Sequence, residues 1–433
     1  MGMFYGREEE RATLQKIYQS KTPEFVALYG RRRVGKTYLV RNAFSRIKDG
    51  LFFYVTGTKN GKLSEQIQNF TEEIGNTFIQ QGLRLEVKKN WRDTFRLLTD
   101  QIQASTKKKI VLFFDEFPWM VTRKSALLQT LEYFWNRHWS TDPRVKLIIC
   151  GSSSGWILKH IINNTEGLYN RVTERIHLEP FNLQQTKGYL LSRRIKLTDK
   201  QIADLYMVLG GIPHYLDQIK SGLSTVQIVE ELAFKKKGFL VTEFKNLYAT
   251  LFGTADGHVE LARIISKHHY GIGQDELAEK SHHFKSGGRL SDCLEDLIEA
   301  GFIERFTPFT HKKKGITYKM TDEYSLFYFR WIEPIKETLL DKGMRKGYWE
   351  GLQRSSAWQS WAGYAFESLC YKHIPQISIA LDLSPTAIPY AWHYISVRGS
   401  EDSGSQIDLL FDRDDNVITV CEIKYTEKPF EID

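Results

Sequence analysis

Short apolar runs alternate with helical stretches through the first 180 residues. Four of these runs have strand length: Phe25–Tyr29, Leu51–Val55, Ile110–Phe114 and Leu147–Cys150. A turn or polar segment and then a helical period follow each run, which is typical of βα units around a buried parallel sheet. The pattern therefore predicts an α/β domain over residues 1–182.

The pattern changes after residue 182. Residues 183–255 are mostly helical, with a break at Gly210–Pro213, and predict a helical lid. Residues 256–335 contain three short helical patterns followed by a hairpin pattern, an order typical of a winged helix. Residues 356–433 begin with an aromatic helix, about Trp358–Ile374, and end in two alternating strands. Arg345–Arg354, which contains two glycines, is predicted to be a linker.

Composition narrows the class of protein. An apolar fraction of 42% supports real cores, and a net charge of +8 favours acidic partners such as nucleic acid, although a merely basic enzyme has the same balance. The four cysteines lie far apart without metal-site spacing, which indicates a reducing, cytoplasmic setting. The longest apolar runs are too short to cross a bilayer, so we expect no membrane partner.

The first strand leads into GRRRVGKT, residues 30–37, and then into a helix-like segment. This GxxxxGKT pattern between a strand and a helix predicts a P-loop for ATP, because its backbone N–H groups wrap phosphates. Lys36 is expected to reach the β- and γ-phosphates, and Thr37 to offer its hydroxyl to Mg²⁺. The residues expected to contact nucleotide here are Gly30, Arg31, Arg32, Arg33, Val34, Gly35, Lys36, Thr37 and Tyr38.

Two carboxylates follow the strand Ile110–Phe114. If this strand lies beside the P-loop strand, Asp115 reaches the water shell of Mg²⁺ and Glu116 polarises the attacking water as general base. The strand Leu147–Cys150 ends in small polar residues, of which Ser152 either senses the γ-phosphate or caps a helix. Gly6 and Arg7, before the first helix, are expected to cover the adenine.

These segments together resemble the archaeal-type ATPases of the AAA+/STAND group. The resemblance rests on the GREEE box at residues 6–10, GRRRVGKT, LFFDE, the strand ending CGSSS and the segment 168–171. It implies that an arginine after the sensor strand completes the site, and Arg171 is the match. It also implies that Gly211–Pro213 couples nucleotide state to the helical region, where the plain alternative is a helix break.

The region 256–335 offers a basic surface. The predicted helices are Val259–Lys267, Gln274–Lys280 and Gly288–Ala300, and the hairpin runs from residue 301 to residue 320. Lys312, Lys313 and Lys314 form a basic wing tip, while Lys285 and Arg289 begin the would-be recognition helix. The alternative is a regulatory winged helix that touches no DNA.

The C-terminal pattern resembles the PD-(D/E)xK nuclease core. Asp408 on one predicted strand and Glu422-x-Lys424 on the next supply two carboxylates for Mg²⁺ or Mn²⁺ and a lysine beside water, and Glu367 is the third carboxylate. Gln406 lies on the same strand face as Asp408. The chain ends nine residues after Lys424, where such folds continue, so an incomplete core is expected. An inactive binding domain is the alternative.

The sequence thus predicts a P-loop NTPase of AAA+/STAND type with a helical lid, a winged helix and an α/β nuclease-like domain. The favoured function is an ATP-binding and ATP-hydrolysing protein that acts on nucleic acid, DNA in preference to RNA, in genome defence or mobile-element biology. The alternative is an ATP-switched regulator or scaffold whose later domains only bind partners. A transcription regulator without ATP turnover is a third reading, and a homo-oligomer stays open.

Overall fold

The computed structural model describes residues 5–79, 85–163, 168, 170–253, 255–306, 316–394 and 405–426. The chain divides into two compact units, Met1–Pro180 and Phe181–Asp433. The predicted wing tip at residues 312–314 and parts of the resemblance, including Tyr169, lie outside the described residues. Within the described ranges, no helix is both long and apolar enough to cross a membrane.

The first unit alternates helices and strands, as the apolar runs predict. Its helices and strands are α1 Glu8–Gln19, β1 Glu24–Tyr29, α2 Lys36–Phe44, β2 Gly50–Thr56, α3 Leu63–Phe78, α4 Trp91–Ala104, β3 Lys109–Asp115, α5 Phe117–Met120, α6 Leu127–Arg137, β4 Val145–Gly151, α7 Ser154–Ile157 and β5 Glu174–His177. A 3-10 turn at Trp139–Thr141 and a π-helical segment at Leu158–Ile162 complete it. All four predicted strands are confirmed.

The strands of this unit form a parallel sheet in the order β2-β3-β4-β1-β5. The prediction that the Asp115 strand lies beside the P-loop strand is wrong, because β4 lies between β3 and β1. Strand order follows from how helices cover the two sheet faces, which apolar runs do not encode. The carboxyl ends of β1, β3 and β4 still meet at one edge, and that edge holds the P-loop and both carboxylates.

Aromatic side chains fill one face of this sheet. Helix α4 buries Trp91, Phe95, Leu98 and Ile102 at helical spacing, and Asn90 caps its first turn by accepting from the Asp93 N–H. The Phe95 ring lies 6.0 Å from that of Phe114 on β3. Burying a side chain of this size stabilises the fold by about 1.5–3 kcal/mol. The densely packed face holds the sheet rigid beneath its carboxyl edge.

The second unit is mainly helical. Its helices and strands are α8 Leu183–Ser192, α9 Asp199–Leu209, α10 Pro213–Leu216, α11 Thr225–Val229, α12 Phe239–Phe252, α13 Asp256–Ile265, β6 Ile272–Gly273, α14 Gln274–Lys280, α15 Gly288–Glu299, β7 Ile303–Phe306, β8 Thr317–Met320, α16 Glu323–Phe327, α17 Lys336–Asp341, α18 Tyr348–Gln353, α19 Ser356–Lys372, α20 Ile374–Ala380, β9 Ile388–Tyr394, β10 Ser405–Asp412 and β11 Ile418–Cys421. Two π-helical segments, Glu230–Phe234 and Tyr328–Ile332, and a 3-10 turn, Glu333–Ile335, lie between them.

The middle of this unit has the predicted order of elements. Helices α13, α14 and α15 precede the hairpin β7–β8, and β6 adds a third strand in the order β6-β8-β7. Helix α15 buries Leu290, Leu294 and Leu297 on one face, which the apolar spacing predicts. The classification of this region as a winged helix stays a prediction.

The C-terminal part departs from the prediction in two places. Strand β9 precedes β10, giving an antiparallel sheet β11-β10-β9, whereas only two strands were predicted. The predicted linker Arg345–Arg354 instead contains α18, whose Trp349 is fully buried against Phe234 and Trp358. Tertiary packing of this indole outweighs Gly347 just before the helix and Gly351 within it.

Candidate nucleotide site and C-terminal carboxylates

The P-loop joins β1 to α2 through two glycines in left-handed backbone. Gly30 has φ 139°, and a Cβ placed on it would lie 2.2 Å from the Leu178 carbonyl oxygen. Gly35 has φ 97° and immediately precedes α2. Only glycine takes these angles without strain, and only glycine lets the Leu178 backbone approach so closely. The loop therefore passes close to the Leu178 backbone and turns directly into α2.

The Lys36 ammonium is buried inside this loop. Its Nζ donates to the carbonyl oxygens of Gly30 and Arg31, at 2.7 and 2.9 Å. Burial lowers the pKa of Lys36, and the negative charges of Asp115 and Glu116 oppose that shift. A cation held among carbonyl dipoles is ready to exchange those bonds for phosphate oxygens, which carry full negative charge.

Thr37 and Asp115 meet across β4. The Thr37 hydroxyl donates to Asp115 Oδ2 at 2.7 Å, and the Cys150 thiol is also placed to hydrogen-bond this carboxylate. Asp115 Oδ1 is buried and accepts from no nitrogen or oxygen donor among the described residues. Burial raises the pKa of Asp115 and the Glu116 charge adds to that rise, whereas the bond from Thr37 opposes it. A buried, half-satisfied carboxylate beside a threonine hydroxyl fits the donor set that Mg²⁺ prefers.

Glu116 follows directly in left-handed backbone, with φ 45°. Its two carboxylate oxygens accept from Ser152, one from the hydroxyl at 2.5 Å and one from the backbone N–H at 3.1 Å. Ser152 is buried and follows β4. The structure thus brings the predicted base and the predicted sensor residue into direct contact, a pairing that the sequence did not indicate.

Arg7 contacts the backbone of the P-loop. Its guanidinium donates to the carbonyl oxygens of Val34 and Glu179, at 3.3 and 2.6 Å, and pairs with Glu10 at 3.3 Å. Arg7 is buried and has φ 63°, and the buried Gly6 before it has φ 71°. Arg7 therefore braces the P-loop backbone; the predicted contact with adenine stays a prediction.

The remaining P-loop residues differ in exposure. Arg31 and Val34 are buried, Arg32 and Arg33 are half-buried, and Tyr38 on the first turn of α2 is 47% exposed. Arg33 takes φ 73°, which completes the turn before Gly35. Their roles in nucleotide binding stay predictions.

Arg171 does not join this site within one chain. It precedes β5, whose Glu174 pairs with Val26 and whose His177 pairs with Tyr29. The strand rises about 13 Å between Thr173 and His177, at about 3.3 Å per residue. Arg171 is exposed at the end of the sheet opposite the P-loop, and its role in completing the site stays a prediction.

Two side-chain contacts at this edge were not predicted from the sequence. The His177 ring stacks on Tyr29 with centroids 4.9 Å apart, just before the P-loop. Burial lowers the pKa of His177, the Glu179 charge opposes this shift, and the Lys36 charge adds to it. The Tyr54 hydroxyl lies 3.5 Å from Asp115 Oδ2. Only strand pairing reveals these neighbours, because their sequence context is ordinary.

The C-terminal residues Glu367, Asp408 and Lys424 line one cleft of about 450 Å³. The other residues that line this cleft are Gly363, Ile423, Tyr425 and Thr426. Glu422 is absent from the described lining, because β11 ends at Cys421 and the Glu422 side chain pairs with Lys424. The two side chains lie together, and their predicted joint role at a metal stays a prediction.

Both carboxylate oxygens of Asp408 are occupied. Oδ1 accepts from Gln406 Nε2 and Oδ2 accepts from the Ile423 N–H, each at 2.8 Å. Glu367 Oε1 lies 3.4 Å from the Lys319 ammonium and accepts from the Tyr371 hydroxyl at 2.8 Å. Within the described residues, no group of three histidine, cysteine or acidic side chains is placed to hold a metal. The predicted Mg²⁺ or Mn²⁺ does not fit this cluster as it stands.

A parallel sheet, a glycine-rich strand-to-helix loop and a lysine, threonine and aspartate at one edge define a P-loop ATPase. Residues 4–219 match the family model described as "ATPase domain predominantly from Archaea". The chain thus contains an archaeal-type ATPase domain, and the protein is an ATPase. The match continues beyond residue 182 into the helical region, through Gly211–Pro213.

Several known proteins are similar to this chain. The uncharacterized protein MJECL04 of Methanocaldococcus jannaschii is 25% identical over 98% of this chain and 88% of its own length. The Walker-type ATPase PABY2304 of Pyrococcus abyssi has a TM-score of 0.52 at 22% identity, covering 76% of this chain and 96% of that one. The Aeropyrum pernix ORC2 protein, in its ADPNP–ADP complexes, has a TM-score of 0.52 at 15% identity, covering 78% and 95%. At these identities the two structures establish the fold alone.

Proposed function

We propose that this ATPase hydrolyses ATP with Lys36 on the phosphates, Thr37 and Asp115 as the residues that would hold Mg²⁺, and Glu116 as general base. The observation that carries the proposal is the buried Asp115 carboxylate, which accepts from the Thr37 hydroxyl and has one oxygen without a nitrogen or oxygen donor among the described residues. Mg²⁺, when bound, neutralises charge on the β- and γ-phosphates. The chain supplies the cradle, the buried cation and the base.

Ser152 also contacts this base. The two oxygens of Glu116 accept one hydrogen bond each from Ser152, and each keeps a second lone pair that can accept a proton from water. Hydrogen bonds to a charged group contribute about 1.5–3 kcal/mol. We propose that Ser152 holds the base until a γ-phosphate occupies the P-loop, which links hydrolysis to correct binding.

We further propose that the protein acts on nucleic acid, with DNA favoured over RNA. The net charge of +8 supports this, as does the start of α15, where Lys285 and Arg289 are exposed on either side of two glycines. The helix begins at Gly288 without a side-chain cap, so its first N–H groups and the two cations present one positive surface. Phosphate contacts at such a surface would position the second unit on a duplex.

The test is the salt dependence of binding to labelled duplex DNA and to RNA of the same sequence, with ATP and without it. Each phosphate contact adds about 0.9 to the slope of log K against log salt, so Lys285→Gln/Arg289→Gln is expected to flatten the slope by about 1.8. Lys107→Gln/Lys108→Gln removes two exposed charges from a turn before β3 and is the matched control. Equal slopes for the two double variants would contradict the α15 surface.

The second candidate function is an ATP-switched regulator or scaffold. It is favoured by the C-terminal cluster, where Lys319 pairs with Glu367 and both oxygens of Asp408 are bonded. A nuclease is expected to cut labelled DNA or RNA with Mg²⁺ or Mn²⁺, and to lose this with Asp408→Ala while its ATP hydrolysis stays near wild type. A scaffold is expected to cut neither nucleic acid under any of these conditions.

A further inference from the structure

The Lys319 side chain, which belongs to the sheet β6-β8-β7, contacts the C-terminal carboxylate Glu367. Lys319 lies on β8, where pairing with Glu304 and the adjacent Ile303–Met320 pair fix its register. Its side chain is only 8% exposed, and its ammonium lies 3.4 Å from Glu367 Oε1. A lysine that is buried to this extent normally requires a specific partner.

The surroundings of the Lys319 ammonium form a complete cation site. Its Nζ lies 3.3 Å from the Tyr371 hydroxyl, and it sits over the rings of Tyr371 and Phe306 at 4.6 and 5.1 Å from their centroids. The same hydroxyl lies 2.8 Å from Glu367 Oε1 and 2.6 Å from the Asp408 main-chain oxygen. A carboxylate, a hydroxyl and two aromatic rings thus all lie close to the Lys319 ammonium.

We propose that Lys319 is a built-in counter-ion that takes the place of a divalent metal beside Glu367 and Asp408. The ammonium neutralises Glu367, and Gln406 and the Ile423 N–H occupy both oxygens of Asp408. A divalent cation placed between the two carboxylates meets a fixed positive charge at close range, whereas each Asp408 oxygen keeps a second lone pair for a ligand bond. The resemblance to a metal-dependent nuclease core therefore does not extend to metal binding while Lys319 is in place.

The experiment measures Mn²⁺ binding to the nucleotide-free full chain, by the loss of the free Mn²⁺ signal in electron paramagnetic resonance. The wild type is compared with Lys319→Met, Lys319→Gln and each of these combined with Asp408→Asn. Lys319→Gln keeps a hydrogen-bond donor near Glu367 and Tyr371 but removes the charge. Lys372→Met is the matched control, because the half-buried Lys372 likewise pairs with a carboxylate, that of the buried Glu323, at 2.7 Å.

The expected result is one additional Mn²⁺ equivalent in the Lys319 variants, which Asp408→Asn removes and which Lys372→Met does not produce. Circular dichroism identifies any variant that does not fold. If Lys319→Met does not fold, Mn²⁺ binding is compared between Lys319→Gln and the wild type. An Asp408-dependent Mn²⁺ equivalent in the wild type would overturn the proposal, and this arm needs no change at Lys319. A folded Lys319→Gln protein without additional Mn²⁺ would overturn it as well. The result is independent of the ATPase site, since no step involves nucleotide.

Discussion

Glu116→Gln separates the chemistry of ATP hydrolysis from ATP binding, and the geometry predicts that the fold tolerates it. In the wild type, Ser152 donates to the two oxygens of Glu116 from its hydroxyl and from its N–H. In the variant, the amide oxygen still accepts from the N–H, and the amide nitrogen donates to the hydroxyl oxygen. A hydroxyl accepts as well as donates, so both contacts remain, while the Ser152 hydroxyl proton loses its carboxylate acceptor. The variant should therefore stay folded and lose about 1–3 kcal/mol of stability at most.

The expected effect on turnover follows from the missing base. An amide does not accept a proton from water at neutral pH, and general-base catalysis contributes about 10²–10⁴-fold. At about 1.36 kcal/mol per tenfold, the variant loses about 2.7–5.4 kcal/mol of transition-state stabilisation. Lys36 and Thr37 are unchanged, so affinity for ATP should stay within a few-fold of wild type.

The assay pairs phosphate release at saturating ATP with direct nucleotide binding. Lys36→Ala is the control for the opposite outcome, because it removes the buried ammonium that is expected to hold the phosphates. That variant should lose binding and turnover together. Wild-type phosphate release by a folded Glu116→Gln protein would refute the assignment of Glu116 as base, and a loss of ATP affinity would show that the carboxylate has a role in binding.

Two further predictions concern the second unit. His373 Nδ1 lies 2.8 Å from the Leu369 carbonyl and its Nε2 accepts from the Leu183 N–H at 2.9 Å, which requires a neutral ring. Burial lowers the pKa of His373, so the stability that its neutral ring contributes is complete above the unfolded pKa of about 6.5 and is lost as pH falls below that value. As pH drops below about 6.5, the thermal midpoint should therefore fall less in His373→Gln than in the wild type. Parallel curves of thermal midpoint against pH would contradict this. Gly211→Ala places a Cβ 1.6 Å from the Phe181 carbonyl oxygen and should lower the free energy of unfolding by about 1–3 kcal/mol, measured by denaturant unfolding. A Cβ on Gly273 meets no atom within contact distance, so Gly273→Ala should lower that free energy by less than half as much. Equal losses in the two variants would contradict the steric argument.

Local sequence patterns predicted the ATPase site because each of its parts is a local signal. The P-loop is contiguous, and Asp115 and Glu116 directly follow an apolar run of strand length. The order of strands was not predictable in the same way. Placing β4 between β3 and β1 depends on connections across the sheet, and so does the contact between Ser152 and Glu116. Residues that act through non-local neighbours leave no local trace.

The C-terminal region shows the limit of motif reasoning. Asp408 and the segment Glu422-x-Lys424 have the spacing of a nuclease core, but β11 ends before Glu422. The sequence did not predict a role for Lys319, because a lysine in a predicted hairpin is normally exposed to solvent. Its burial results from packing of β8 against α19, which lies about fifty residues further along the chain. Strand β9 was missed because its apolar residues are interrupted by Pro389.

The predicted domains of the second unit are joined by buried charge pairs. Glu323 at the start of α16 is 3% exposed, and a Cβ on Gly210 would lie 2.8 Å from its Oε2. Lys372 at the end of α19 donates to that same oxygen at 2.7 Å, while Lys319, four residues before Glu323, reaches Glu367 on the same helix. Removing one partner of a buried pair costs about 3–5 kcal/mol, so α19 cannot leave this segment without a large penalty. The Gly210–Pro213 break therefore lies directly against a buried carboxylate that is paired with α19.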